Sequence, residues 1–181
     1  MTFPCLSRRT LRIAAGVAGA AMLALASTAQ AQSARPSPAF SVSAGAFQYD
    51  LSGTGTAPML AVRADFPLGQ IVLVEGSLGF ARPDQQFGER TTLVIPEAQL
   101  QFQLPLGRVL PYVGVGGGGF LDFRGNQYGG LQSAITASAA GGFRAWVTPR
   151  VGLRAELRVR GVGSGFQGAA AEWTGGLTWR P

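Results

Sequence analysis

Charged residues alternate along one segment in the last third of the chain, where Arg154, Glu156 and Arg158 stand at positions i, i+2 and i+4. On an extended strand, this spacing points all three side chains to the same face. Glu75 and Glu97 occupy the matching face of two earlier segments. Such charges can neutralise one another as ion pairs, or form rings that select ions in a narrow pore. The candidate charged network comprises Arg63, Asp65, Glu75, Glu97, Arg144, Arg154, Glu156, Arg158 and Glu172.

Catalytic chemistry has little support in the sequence. The chain contains no histidine, so the commonest general base and the commonest metal ligand are both missing. Its single cysteine, Cys5, lies in a leader that we expect to be cleaved. The glycine run 116–119 leads into Phe120 and a polar segment, which does not match a phosphate-binding loop before a helix. Carboxylates spaced for glycoside cleavage are present, but arginines match them, so we expect no enzymatic activity, no cofactor and no metal site.

The elements that carry these residues are predicted to be β-strands. Apolar and polar residues alternate with a period of two, and we find no convincing amphipathic helix after the leader. The clearest segment places Val94, Leu100 and Phe102 opposite Glu97 and Gln99. Most segments reach the roughly 9–11 residues that a tilted membrane-spanning strand requires. The eight predicted strands cover residues 40–51, 58–66, 71–80, 92–104, 109–121, 132–147, 151–159 and 171–179.

The connections between these segments alternate in length. Short turns at one end and longer loops at the other are typical of an up-and-down barrel in an outer membrane. Two loop regions, 82–90 and 120–128, combine charged and aromatic residues, and exposed aromatic side chains can anchor an extracellular partner. The tight turns are 66–70, 104–108 and 147–150, and the longer polar connections are 52–57, 81–91, 122–130 and 161–168.

Alternation alone does not decide which face points into the barrel. Charges of both signs can pair inside an eight-stranded barrel, whose interior is just wide enough for side chains. The apolar face is rich in alanine and glycine, which fill a soluble core poorly. We therefore expect this face to meet lipid; a soluble periplasmic or secreted ligand-binding barrel, with that face inward, is the alternative. Six aromatic residues lie near strand ends, as in membrane-interface girdles: Phe66, Phe80, Phe143, Trp146, Trp173 and Trp179. Of these, Trp146 has the parity of the polar face.

The first 31 residues are typical of a secretory signal peptide. Three arginines precede the apolar run 13–26, and Ala29 and Ala31 form the small-x-small pattern that signal peptidase reads. We expect cleavage after Ala31, a flexible lead-in over 32–38 and one barrel domain over 39–181. The formal net charge is +6, and the three arginines leave with the leader. The remaining charge, near +3, is too small to indicate a nucleic-acid partner.

Three motifs follow one another along the chain: Pro-Tyr-Val-Gly-Val-Gly at 111–116, Thr-Pro-Arg-Val-Gly-Leu-Arg-Ala-Glu at 148–156, and Gly-Leu-Thr-Trp at 176–179. With these motifs, nearly all of the mature chain resembles the small eight-stranded outer-membrane barrels of the OmpA/OmpX type, often grouped as the outer membrane protein β-barrel domain. The resemblance implies both fold and location. It also implies that Gly176 and Trp179 belong to the signal by which the barrel assembly machinery recognises a last strand, although here Arg180-Pro181 replaces the usual terminal aromatic.

The sequence therefore predicts an all-β protein, an eight-stranded antiparallel up-and-down transmembrane β-barrel of the bacterial outer membrane, made with a cleaved signal peptide. Its expected function is non-enzymatic, as a structural or surface-interacting protein with a salt-bridged interior. A small passive, porin-like channel is the alternative. The expected partners are outer-membrane lipid, the barrel assembly machinery and an extracellular partner at the long loops, and we expect a monomer.

Overall fold

Eight antiparallel strands form a closed barrel, which confirms the predicted fold class. The computed structural model describes residues 37–50, 55–83, 91–124, 132–163 and 168–181. Each strand pairs with the next along the chain, and the eighth pairs with the first. Among the described residues, no helix is long and apolar enough to cross a membrane. The strands are β1 (Ala39–Asp50), β2 (Gly55–Pro67), β3 (Val72–Ala81), β4 (Thr91–Gln103), β5 (Val109–Arg124), β6 (Gln132–Trp146), β7 (Val151–Val162) and β8 (Gly168–Trp179).

Several strands extend further toward the long connections than the sequence predicts. β5 continues to Arg124 and β7 to Val162, because pairing with their neighbours persists beyond the clear apolar alternation. Phe123, which the sequence analysis assigned only to a loop, therefore lies in β5, and that assignment was wrong. Phe120, which it placed in both the fifth strand and the adjoining loop region, lies in the strand. The glycine run 116–119 also lies within this strand. The remaining parts of the predicted loops, residues 51–54, 84–90, 125–131 and 164–167, fall outside the described residues.

The three tight turns gather at the same end of the barrel as the start of β1 and the end of β8, and we call this the turn end. Leu106 and Val109 exchange backbone hydrogen bonds of 3.0 and 3.3 Å across one turn. Gly107, between them, has a φ of 67°, a conformation that costs glycine little. In another turn, the Thr148 hydroxyl accepts a hydrogen bond of 2.9 Å from the backbone N–H of Val151, which fixes the reversal locally. We call the opposite end the loop end.

The apolar face of the strands lies on the outside of the barrel and the polar face lies inside. On β2, for example, Leu60 and Val62 are exposed while Arg63 and Asp65 are buried. A slip of one residue would invert this arrangement, so the register follows from the burial of the charges. An apolar band of this extent contradicts the soluble-barrel alternative. Each strand contributes to the exposed band, with Val42, Leu60, Phe80, Leu100, Val113, Ile135, Leu157 and Leu177 as representatives.

The barrel closes where β1 pairs with β8, from Phe40 opposite Trp179 to Gln48 opposite Ala171. At Gly176, a Cβ atom would lie 2.1 Å from the carbonyl oxygen of Val42, so only glycine lets the two backbones approach this closely. The Phe40 and Trp179 rings, on the outside of this seam, have their centroids 5.6 Å apart. These contacts explain why the closing motif needs a glycine and an aromatic residue at these positions.

Candidate functional site in the barrel interior

The interior of the barrel holds all nine residues of the candidate charged network. It also holds Arg160, which the sequence analysis missed because it ended the seventh strand at residue 159. Five arginines and five carboxylates are buried, so the ion network of these ten side chains has no formal net charge. A buried charge needs a partner of opposite sign, and this balance supplies one for each. The ten residues are Arg63, Arg144, Arg154, Arg158, Arg160, Asp65, Glu75, Glu97, Glu156 and Glu172.

Arg158 is the centre of the ion network. Its guanidinium lies 2.8 Å from Glu75 and 2.7 Å from Glu97. It also lies 2.8 Å from Glu156 and 3.5 Å from Glu172. The side chains of Arg158 and Glu75 are both 0% exposed. One cation thus joins carboxylates from four different strands, which ties opposite walls of the barrel together.

Arg154 and Arg144 extend the ion network toward the turn end. Arg154 forms a short contact with Glu75 and lies 2.5 Å from Glu156. Asp65 lies 3.2 Å from Arg144 and 3.6 Å from Arg154. Arg154 and Arg144 both contact Glu75 and Asp65. If either arginine were lost, the other would compensate only part of the negative charge of these two carboxylates.

Arg160 and Arg63 complete the ion network. Arg160 lies 3.1 Å from Glu97 and 3.0 Å from Glu172. Arg63 lies 3.3 Å from Glu156 and 3.6 Å from Glu172. Together with Arg158, three cations from two strands thus share Glu172, which links β2 and β7 through β8.

Neutral polar side chains satisfy groups that the ion pairs leave open. Tyr112 donates a 2.6 Å hydrogen bond to Glu156 and accepts one of 3.0 Å from Arg154. The Arg144 guanidinium lies 4.4 Å from the centre of the Tyr112 ring and donates a 2.7 Å hydrogen bond to Gln101. Sequence reasoning missed Tyr112 because the face of the glycine-rich strand was ambiguous, whereas Gln101 shared the parity of Glu97 and could have been included.

An apolar layer closes the interior above the ion network, at the loop end. Phe47, Met59, Ile95 and Phe120 are buried there, and the Phe47 and Phe120 rings meet edge to face with centroids 5.8 Å apart. These are the inward residues of strands whose alternation places apolar side chains outside. Sequence reasoning could not find this layer, because its members come together only when distant strands close around one axis.

A second apolar layer lies below the ion network, at the turn end. Ala39, Leu110 and Trp146 form a small buried cluster. Trp146 follows its parity and points inward, so it takes no part in an outer aromatic girdle. The Arg180 guanidinium covers it, 3.7 Å from the ring centre. The other proposed girdle residues, Phe66, Phe80, Phe143, Trp173 and Trp179, are all exposed on the outside.

Arginines hold every buried carboxylate of this site. Each carboxylate of the ion network lies within 4.0 Å of at least two arginine nitrogens or one arginine and a polar donor. Within the described ranges, no group of three His, Cys, Asp or Glu side chains is arranged to hold a metal ion. The predicted signal peptide, with Ala29 and Ala31, and most of the lead-in 32–38 lie outside the described residues.

The barrel geometry agrees with a family comparison. The sequence model of the outer membrane protein β-barrel domain matches residues 17–180. The chain belongs to this family. It is therefore an integral protein of the bacterial outer membrane, and its exposed apolar band faces lipid. In barrels of this kind the short turns are periplasmic and the longer loops extracellular. No curated protein sequence matches the chain.

Solved structures of small outer-membrane barrels share this fold. Neisserial surface protein A (NspA) is 16% identical, with a TM-score of 0.66 over 80% of this chain and 96% of that one. The attachment invasion locus protein Ail of Yersinia pestis, solved with the heparin analogue sucrose octasulfate, is 15% identical, with a TM-score of 0.55 over 81% of this chain and 100% of that one. OprG of Pseudomonas aeruginosa is 11% identical, with a TM-score of 0.53 over 80% of this chain and 96% of that one.

Proposed function

We propose that this outer-membrane protein is non-enzymatic, that its interior is sealed, and that it acts as a structural element or through its outer surface. The observation that carries the proposal is the neutral ion network of ten side chains between two apolar layers. Ions crossing the barrel would have to break buried ion pairs and also pass the Phe47–Phe120 contact. Breaking buried ion pairs is costly because the separated charges stay buried, and passing the apolar layers is costly because they offer no hydrated path.

The passive channel is the alternative that this proposal must exclude. We expect the purified protein in planar lipid bilayers to give no unitary conductance above that of protein-free bilayers. Phe47→Ala should also remain silent, because the ion network below still blocks the path. A conductance in the wild type that falls when Arg154 or Glu75 is neutralised would instead place a pore through the ion network.

The non-enzymatic part of the proposal is supported by the sequence and by the interior contacts. The chain has no histidine, and its buried carboxylates are engaged by arginines. The buried hydroxyl of Tyr112 is itself engaged by Glu156 and Arg154, and that of Ser138 by Glu97. A nucleophile or general base needs a free side chain beside a space for substrate, and these groups are occupied.

A role at the cell surface is supported by two of the similar structures. NspA is named a surface protein, and Ail was solved with a heparin analogue. We propose that the connections 84–90 and 125–131 face outward in the same way and contact an extracellular partner. The mature chain contains no cysteine, so a single cysteine is a clean reporter. A membrane-impermeant maleimide added to intact cells should label Phe87→Cys but not Gln70→Cys in a turn; the reverse pattern would invert the proposed orientation.

We also propose that the protein is a monomer and that Gly176 and Trp179 are read by the barrel assembly machinery. Both residues sit at the β1–β8 seam, which is the last contact needed for closure. Trp179→Ala should lower the yield of folded barrel in cells while leaving refolding into detergent micelles less affected. Equal losses in both settings would assign Trp179 to stability alone.

A further inference from the structure

A groove of about 470 Å³ indents the lipid-facing side of the barrel across β6, β7, β8 and β1. Its floor is formed by small residues, which leave the backbone uncovered: Ala44, Gly141, Ala155 and Gly175. Phe143, Leu157 and Trp173 rise beside them and are each about half exposed. Its volume lies within the range of small-molecule sites, but its lining is almost entirely apolar.

Packing does not require the glycines in the floor of the groove. A Cβ atom at Gly141 would meet nothing within 4 Å, and one at Gly175 would come no closer than 3.9 Å to any atom. Neither glycine has a positive φ. Both positions therefore accept larger side chains without strain, in contrast to Gly176 on the inner face.

Three arginines lie at the turn end of the barrel: Arg108 in the turn between β4 and β5, Arg150 in the turn between β6 and β7, and Arg180 after β8. Arg108 and Arg150 are exposed and flank the end of β6, since the backbone N–H of Trp146 donates to the Arg108 carbonyl at 2.8 Å. The backbone N–H of Arg180 donates to the Arg150 carbonyl at 2.8 Å. Among the described residues, none of the three arginines forms an ion pair, and the three turns carry no Asp or Glu.

Arg180 lies near charges of both signs. Partial burial lowers the pKa of its guanidinium and the like charge of Arg144 lowers it further, while the carboxylate of Asp65 offsets part of this effect. Its Nε atom is buried and has no hydrogen-bond partner in the described part of the chain. An anion at this end of the barrel would relieve the repulsion and supply acceptors.

The groove lies above Arg150 and Arg180 on the strands that these arginines adjoin, and Arg108 is next to the end of β6. Ala155 follows Arg150 by five positions, or roughly 16 Å along the strand. Half of a hydrocarbon core measures about 15 Å, so the groove is within reach of a chain from the periplasmic leaflet. Only the outward apolar residues Val151 and Leu153 separate the two features on β7.

We propose that this face binds one anionic phospholipid of the periplasmic leaflet, with its phosphate at Arg108 and Arg150 and an acyl chain in the groove. Charge complementarity selects the headgroup, because the turns carry the exposed Arg108 and Arg150 and no Asp or Glu side chain. The lipid-facing position of the groove selects an acyl chain as its occupant. A second copy of the protein is the competing occupant, and the test below distinguishes it.

The test is native mass spectrometry of the folded mature protein released from vesicles of phosphatidylcholine mixed equally with phosphatidylglycerol of the same acyl chains. We expect the wild type to retain one phosphatidylglycerol at least tenfold more often than one phosphatidylcholine. The double variant Arg108→Gln with Arg150→Gln should reduce this preference to near unity. Arg82→Gln, which removes an exposed arginine at the loop end, is the control and should keep the preference.

The groove is tested with Gly141→Leu and, independently, Gly175→Leu. Each should lower retention of both lipids at least fivefold, while the heat-dependent gel shift shows that the barrel is folded. Gly76→Leu is the control, since this glycine on β3 is also surrounded by open space.

Four results would overturn the proposal. Equal retention of the two lipids by the wild type removes the headgroup selection, and unchanged retention in both leucine variants removes the groove. A dimer in the wild type that both leucine variants dissolve makes the groove an interface between copies. Inorganic phosphate added to phosphatidylcholine-only vesicles provides the last comparison; if it binds Arg108 and Arg150 as well as phosphatidylglycerol does, the site is a free-anion site.

Discussion

Replacement of Arg158 by methionine tests whether the ion network holds the barrel together. The substitution keeps a long, flexible side chain but removes the cation that contacts four carboxylates. Removing one partner of a buried ion pair costs about 3–5 kcal/mol, because the remaining charge stays buried and uncompensated. Arg158 is fully buried, so solvent cannot screen the loss. We therefore expect the free energy of unfolding to fall by about 4 kcal/mol.

The assay is urea unfolding of the barrel in lipid vesicles, followed by the gel shift of the folded form. With a slope of about 2 kcal/mol per molar urea, the midpoint should fall by about 2 M. Arg160→Met is the graded comparison on the same face of the same strand, because Arg160 contacts only Glu97 and Glu172. It should cost about half as much, and the exposed Arg82→Met should cost less than about 0.5 kcal/mol.

A double-mutant cycle separates charge balance from packing. Adding Glu97→Gln to Arg158→Met makes the interior neutral again, so it should recover at least about 1 kcal/mol of the loss. The reasoning fails if Arg158→Met lowers the free energy of unfolding by less than about 1 kcal/mol. It also fails if Glu97→Gln costs as much in the Arg158→Met background as it does alone, because the ion network would then not act as a coupled unit.

Three further predictions concern the seam, the buried hydroxyl and the orientation of the faces. Gly176→Val should prevent refolding into detergent micelles, whereas Gly175→Ala should refold normally, as read from the fraction showing the gel shift; equal yields would contradict the close approach at the seam. Tyr112→Phe should lower the free energy of unfolding by about 1–3 kcal/mol, because it removes one hydrogen bond from each of two buried charged groups. A neutral effect in urea unfolding would argue against those bonds. In single-tryptophan variants, brominated lipid should quench the fluorescence of Trp173 strongly and that of Trp146 weakly, and the opposite order would mean that the faces are inverted.

Much of the fold could be read from the sequence because a strand has a period of exactly two. Once Arg154, Glu156 and Arg158 are placed on one face, every other residue of that strand has its side assigned. The same parity placed Trp146 with the charged residues, and the structure puts it inside. Arg160 continues this parity and was lost only because the strand was ended too early, so the signal for it was present in the sequence.

Other features had no signal in the local pattern. Phe120 follows a glycine run that leaves the face of its strand ambiguous, and only the structure shows that its ring points inward and meets Phe47. Tyr112 lies where alternating glycines hide the face of the strand. Which residues form the apolar layers depends on which inward residues of different strands lie at the same height along the barrel axis. The strand register around the whole barrel sets that height.

The sequence by itself determined the number of strands, their order and the face on which each charge lies, because alternation, turn residues and charge balance are local properties. Tertiary structure alone decided which charges pair, because Arg158 meets Glu75 and Glu97 only across the closed interior. It also decided that apolar layers cover the ion network at both ends and that a lipid-facing groove lies above three arginines. Each of these features joins residues from strands far apart in the chain, and closure of the barrel is the physical event that brings them together.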